Sequence, residues 1–321
     1  MIYYHLISII LAVLIDRIFG DPPNLPHPVK GFGKMIAYFD ENWNRKNDKK
    51  LKGFFMLVIL IAIILSLSIG LVLLTYYIHP LLGVITEAIL IATTIAQKGL
   101  REAALEVESP LKNGDIDKAR QKLSNIVGRD TDKLSEEEIV RGTVETVAEN
   151  TSDGITAPLF WAAIGGAPLA LIYRLINTCD SMVGYKSDSY KDFGWASARL
   201  DDAVNWLPSR MTGFVMMLCH RSGGVPRKKA WSILFRDAKK HPSPNSGWGE
   251  AAVAALLGIR LGGANYYKGM KSYRMEMGDP VHHLQLRHIA DSIRIMQQTT
   301  ILFLLALVLG GVLFEIAVTW I

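Results

Sequence analysis

No charged side chain occurs between residues 53 and 78 of this 321-residue chain. About 20 apolar residues in a helix cross the hydrocarbon core of a bilayer. Soluble core helices rarely run so long without a charge, so the segment reads as a membrane span. Residues 295–321 carry only Glu315 and read the same way. The first 15 residues are also uncharged. They lack the leading positive charge and the small-residue cleavage site of a signal peptide, and are expected to be a retained span or a membrane-buried helix. Residues 81–97 form a further segment, interrupted only by Glu87. An acid at that depth is costly and is expected to face other helices.

Half of the residues are hydrophobic and the net charge is +5. In a membrane protein that excess fits basic cytoplasmic loops better than nucleic-acid binding, so no nucleic-acid partner is expected. Cys179 and Cys219 form neither a metal spacing nor a disulfide framework. The loop up to Lys52 holds Lys30, Lys34, Arg45, Lys46, Lys49, Lys50 and Lys52, whereas the connection at Tyr77–Pro80 has no Lys or Arg. Positive charge marks the cytoplasmic side. The N-terminus, the 77–80 turn and the C-terminus are then outside. Residues 20–52, 98–153 and 220–294 are inside.

Residues 155–176 admit two arrangements. A full span would need a second one at 203–219, which contains Pro208 and Arg210. Alternatively, Gly165-Gly166-Ala167-Pro168 break the segment near its middle. Broken helices at membrane depth line protected cavities. The cost of charge in the membrane favours this re-entrant hairpin, which returns residues 177–202 to the cytoplasmic side. The expected class is all-α: a multi-pass integral membrane protein with a cytoplasmic helical portion. A single integrated domain, 1–321, would carry apolar segments at about 1–19, 53–78, 81–97, 155–176, 203–219 and 296–318.

Four polar stretches carry the chemistry. Between Asn177 and Asp202, five Asp are interleaved with Lys186, Lys191 and Arg199. Carboxylates mixed with cations suit a metal and phosphate groups. Ser135 and Glu138 form a capping box that opens a helix to about Glu149. On it, Arg141, Glu145 and Glu149 share one stripe, which by spacing alone is an ordinary solvated face. The helix leads into Asn150-Thr151-Ser152-Asp153-Gly154, whose acids, amide and hydroxyls suit Mg²⁺ and phosphate. His241 to Glu250 is a proline-stiffened loop, either an N-capped helix start or a ligand-facing loop. Gly20 to Val29 holds four prolines that fix an extended path, with His27 inside it. No phosphate-binding G-x-x-x-x-G-K-[ST] loop, dinucleotide fingerprint, H-E-x-x-H zinc motif or G-x-S-x-G elbow occurs.

Taken in order, GDPPNLPHPVKGFGKMI at 20–36, GRDTDKLSEEEIVRGTVETVAENTSDGITAPLFW at 128–161, NTCDSMVGYKSDSYKDFGWASARLDDAVNWLPSR at 177–210 and HPSPNSGWGEAAVAALLGIRLGG at 241–263 resemble the adenosylcobinamide-phosphate synthase family of cobalamin biosynthesis. The likeness extends across nearly the whole chain. Trp248-Gly249 stands where that pattern has a Tyr-Pro pair. The resemblance implies a cell-membrane ligase with its active site on the cytoplasmic side. It would join aminopropanol or aminopropanol phosphate to a side-chain carboxylate of adenosylcobyric acid, driven by ATP and Mg²⁺. It further implies catalytic roles for Glu145, Glu149, Asp153 and Lys186, and metal ligation by Glu145, Glu149, Asp153, Asp180 and Asp202. Arg129, Arg141, Asn150, Ser152, Asn177, Ser181, Tyr185 and Asp201 would contact the nucleotide, and His27, Asn245 and Glu250 the corrinoid or amine. The lipid bilayer, and a homo-oligomer or a complex with neighbouring pathway enzymes, complete the implied partners. A corrinoid or metal transporter is the competing class, since broken membrane helices and buried acids suit it too. A lipid head-group transferase fits less, because its D-G-x-x-A-R arrangement is not reproduced.

The hairpin arrangement has a direct consequence. A cysteine placed at Ser187 should react with an impermeant thiol probe added from the cytoplasmic side only. Labelling from the opposite side establishes the full span instead.

Overall fold

The computed structural model describes residues 2–22, 27–45 and 47–319. Pro23, Asn24, Leu25 and Pro26 of the expected proline-fixed path, and Lys46 of the basic loop, lie outside the described residues. In chain order the helices are α1 (Ile2–Phe19), α2 (Pro28–Trp43), α3 (Lys49–Ile78), α4 (Pro80–Ala92), α5 (Gln97–Lys112), α6 (Ile116–Ser124) and α7 (Glu136–Thr151). A π-helical turn, Ser152–Thr156, leads to α8 (Ala157–Val183), α9 (Trp195–Val204), α10 (Trp206–Cys219), α11 (Arg227–Asp237) and α12 (Ser246–Leu257). The strands β1 (Leu261–Tyr267) and β2 (Met270–Met277) follow, and α13 (Arg287–Thr319) ends the order.

The fold is mostly helical. Among the described residues, four helical runs are long and apolar enough to cross a membrane: Lys49–Ile78, Pro80–Lys112, Glu136–Val183 and Arg287–Val318. The expected segment at 203–219 corresponds to α10, whose 14 residues are too few for that length. The hairpin of β1 and β2 departs from the all-α expectation. The alternation in Ser272-Tyr273-Arg274-Met275-Glu276-Met277 is a strand pattern, but a single two-stranded ribbon leaves only a weak trace in a chain of helices.

The residues pack into two compact units, each assembled from separated stretches. The first contains 1–98, 157–205 and 304–321. Its core joins Phe32 and Ile36 of α2, Met56, Leu57 and Leu60 of α3, and Leu171, Leu175, Ile176, Cys179 and Val183 of α8. Phe193 is also fully buried there, and its carbonyl lies against Gly53, where any side chain would collide with it. A two-residue turn at His79-Pro80 reverses α3 into α4. His79 Nδ1 accepts the Leu81 N–H (3.2 Å), and Pro80 starts the helix where its missing N–H costs nothing. Lys98 Nζ donates to the carbonyls of Ile18 (2.9 Å) and Phe19 (3.2 Å), closing the end of α1.

The break foreseen in residues 155–176 is present. Gly165 (φ −146°, ψ 29°) and Gly166 (φ 64°, ψ −158°) leave the helical region inside α8. Gly166 occupies backbone space that is essentially glycine-only. The fully buried Glu87 of α4 fills the break. Its carboxylate accepts the Ala167 N–H (3.2 Å) and the Tyr76 hydroxyl (2.8 Å), and pairs with His5 Nδ1 (2.8 Å). The acid does face other helices, as its depth requires.

The second unit contains 99–156 and 206–303. Its helix α12 lies against α7, α10 and α11. Gly249 is closely packed: a Cβ there would stand 2.6 Å from the Ala148 carbonyl oxygen. The antiparallel strands pair Gly263 with Arg274 and Tyr267 with Met270, with a bulge between Leu261 and Gly263.

Gly166→Ala is expected to lower stability by about 1–3 kcal/mol from backbone strain alone, with more from contact with Glu87. Thermal unfolding in detergent reads this. An unchanged melting temperature would show that the break tolerates a side chain.

Candidate active site

In the second unit the capping box predicted at Ser135 and Glu138 is present in full and opens α7. Two of its residues, Glu145 and Arg141, and Arg129 from the loop before it meet the hairpin. Glu145 is buried; its Oε1 accepts the Gly262 N–H (2.8 Å) and its Oε2 pairs with Arg129. Arg129 Nη1 also donates to Asn265 Oδ1 (2.6 Å). Arg141 donates to the carbonyls of Gly262 and Ala264, the latter at 2.8 Å. A buried carboxylate must be paired, and this one is paired to the structure itself. Glu145, Arg129 and Arg141 therefore anchor the hairpin on α7. Asp130 does the same at the turn, accepting the N–H groups of Lys268 (3.0 Å) and Gly269 (2.7 Å).

One turn further along α7, Glu149 accepts the Ser246 hydroxyl at Oε1 (2.8 Å). Glu149 lines a polar cavity of about 120 Å³ with Arg129, Glu145, Thr146, Asn150, Tyr267 and Arg274. Asn150 donates to Thr146 O (3.0 Å), Ser152 is buried, and Asp153 is half-buried in the π turn. Insertions of this kind frequently sit at functional sites. Glu250 of α12 is fully buried, and neither carboxylate oxygen has a hydrogen-bond partner among the described residues. Burial, then the charges of Glu145 and Glu149, push its carboxyl well above the usual range. His241 Nε2 lies 3.4 Å from it. Burial holds the imidazole below its usual range, so it is neutral near pH 7. Asn245 is buried and accepts from Ser209 (3.3 Å) and Arg210 (3.4 Å). Trp248 stacks on Phe214 with centroids 6.1 Å apart.

The first unit gathers a separate set. Asp201 of α9 is buried, accepting Asn177 Nδ2 at Oδ1 (3.3 Å) and Asn205 Nδ2 at Oδ2 (3.1 Å). Asn205 is held in turn by the Tyr173 hydroxyl (2.8 Å). Burial, then the nearby charge of Asp180, pushes the Asp201 carboxyl up to about 7. Asp202 is also raised by burial, against the opposing charges of Arg199 and Lys186. Ser181 donates to Asn177 O (2.9 Å) and Tyr185 to Ser181 O (2.8 Å), which ties both hydroxyls into the end of α8. Lys186 is exposed. His27 lies at the start of α2 with Nε2 3.0 Å from Asp21 Oδ1.

Of the residues expected at the site, Glu145, Glu149 and Asp153 belong to the second unit and Asp180, Asp201, Asp202 and Lys186 to the first. Among the described residues, no three His, Cys, Asp or Glu side chains are grouped to hold a metal ion. Sequence reasoning missed Arg274 and Tyr267, which stand on the overlooked hairpin, and Asn205, which lies within the quoted 177–210 stretch but was not singled out there.

The family model described as CobD/Cbib protein matches residues 9–296. The chain is 56% identical over 318 residues to the cobalamin biosynthesis protein CobD of Halalkalibacterium halodurans, covering 98% of this chain and 100% of that protein. It is 43% identical over 315 residues to the protein of the same name from Clostridium perfringens, covering 98% and 100%. It is also 43% identical over 293 residues to the cobalamin biosynthesis protein CbiB of Salmonella paratyphi B, covering 89% and 91%. No solved structure matches.

Asp201 links the first cluster to pH. Burial pushes its carboxyl up to about 7 in the folded state, above the ordinary aspartate value of about 3.9. The folded state therefore keeps a proton that the unfolded state has lost. This contribution to stability is complete below the unfolded value and disappears as pH rises through about 7. The melting temperature should fall more steeply between pH 5 and pH 8 in the unmodified protein than in Asp201→Asn. Parallel profiles would remove Asp201 as the cause.

Proposed function

Because the chain belongs to the CobD/CbiB family, we propose that it serves cobalamin biosynthesis as a membrane enzyme that forms an amide in an ATP-dependent reaction. The acid is a side-chain carboxylate of adenosylcobyric acid, and the amine is aminopropanol or its O-phosphate. The observation that carries this reading is the small cavity where Glu149, Asn150, Tyr267 and Arg274 converge beside α7.

A carboxylate is a poor acyl donor, since its leaving group would be oxide. Transfer of a phosphoryl group from ATP to one carboxylate oxygen gives an acyl phosphate. The amine nitrogen then forms the C–N bond, the C–O bond to phosphate breaks, and the ammonium proton must be taken up. Glu149 is suited to hold the ammonium group, because its carboxylate borders the cavity and Ser246 fixes its orientation.

Mg²⁺ takes one or two carboxylates and completes its shell with phosphate oxygens and water. Asp180 and Asp201 fit that use: two acids whose mutual repulsion a cation would relieve. Bound there, the ion would neutralise phosphate charge. Glu145, engaged by Arg129 and the Gly262 N–H, serves to hold the hairpin in place.

Purified protein incubated with adenosylcobyric acid, ATP, Mg²⁺ and aminopropanol phosphate should yield the amide by mass, whereas a transporter gives no mass change. Glu149→Gln should lower kcat/KM by about 100-fold or more with the melting transition retained. Undiminished turnover in that variant removes Glu149 from the reaction.

A further inference from the structure

Arg274 projects from β2 to the wall of the cavity of about 120 Å³ beside α7. Its hydrogen bonds go to the Tyr267 hydroxyl (3.1 Å) and to His241 Nε2 (3.3 Å). Neither partner is acidic. The other charges around it are largely accounted for. Glu145 is paired with Arg129, so these two cancel. Glu250 is fully buried and is not among the residues lining the cavity, and burial raises its carboxyl well above the usual range. His241 is neutral near pH 7. What remains at the cavity is one guanidinium, Arg274, and one carboxylate, Glu149.

A guanidinium offers five N–H donors in a planar fork that matches the oxygens of phosphate or carboxylate. Two neutral partners leave donors over for a ligand. The volume is well below the roughly 300–1,000 Å³ of a drug-sized site, so it suits a small molecule rather than a corrin ring. The Tyr267 hydroxyl and Asn150 line the same space and add neutral polar groups.

We propose that this cavity is the binding site of the small amine, with Arg274 holding an oxyanion at one end of that molecule and Glu149 holding its ammonium at the other. The assignment rests on the amide-forming reading above and goes beyond it in one respect: it makes Arg274 the residue that distinguishes a phosphorylated amine from the free amino alcohol. Phosphate carries the charge and the three oxygens that a guanidinium fork takes up, and a hydroxyl carries neither.

Steady-state kinetics of the whole protein in detergent, with aminopropanol and aminopropanol phosphate compared, tests this. In Arg274→Gln the ratio of kcat/KM for the phosphorylated over the free amine should fall roughly 10- to 100-fold, as expected for loss of a charge-assisted contact. The change should reside in the KM for the phosphorylated amine, with the KM for ATP little altered. A preserved ratio, or a shift confined to ATP, overturns the assignment. Tyr267→Phe keeps the test available if Arg274→Gln does not fold, and should shift the same ratio in the same direction by a smaller factor. Calorimetric titration with aminopropanol phosphate separates the two readings. Binding that depends on Arg274 while no amide forms supports the subsite and refutes the reaction. Amide formation with binding indifferent to Arg274 does the reverse.

Discussion

A carboxylate taken out of water without a partner costs several kcal/mol, and the second unit is arranged around meeting that requirement at Glu145. The residue is 2% exposed, and both of its oxygens are engaged. Arg129 comes from the loop before α7, and the Gly262 N–H comes from the bulged start of β1. Arg141 reaches the same strand from the turn of α7 before Glu145. Together they pull the hairpin against the helix. The polar cavity exists because of this docking: its walls are α7 on one side and Tyr267 and Arg274 of the hairpin on the other. Removing Glu145 would leave Arg129 buried without its counter-charge, so its loss would disturb the cavity through position rather than through chemistry.

The first unit solves a related problem inside a helical run long and apolar enough to cross a membrane. Breaking α8 at Gly165-Gly166 frees backbone groups, and groups buried there must be satisfied by protein. Glu87 does so for Ala167, and His5 and Tyr76 in turn satisfy Glu87. A lone acid in an apolar segment, costly by itself, thereby becomes the support of an irregular helix. The cluster of Asn177, Asp201 and Asn205 lies in the same unit and works in the opposite sense. There burial, then the charge of Asp180, raises the carboxyl to about 7, against the two amide donors that favour its charged form.

Much of the architecture was legible in the residue order. The long helices followed from apolar length, the break in α8 from its Gly-Gly-Ala-Pro run, and the start of α7 from its capping box. Each is local, set by residues within a turn or two. The hairpin was missed, because its cues, the alternation over 272–277 and the two-residue Lys268-Gly269 turn with both residues at positive φ, are short beside the long helical signals. With it went Arg274 and Tyr267. The stripe Arg141, Glu145 and Glu149 was seen, yet its division of labour was not. Spacing places the three on one face of a helix but says nothing about what that face meets.

By itself, the sequence determined where helices begin, end and break, and which segments are apolar enough for a bilayer, since these depend on backbone preference and on solvent transfer of neighbouring residues. Its ordered motifs also carried the family. Only the tertiary structure decided which charges are neutralised and which remain available. That outcome depends on groups more than a hundred positions apart, such as Arg129 with Asn265 and Glu145 with Gly262. The energy of a buried charge is set by its distance to a partner and by the exclusion of water, and neither quantity exists until the chain has folded.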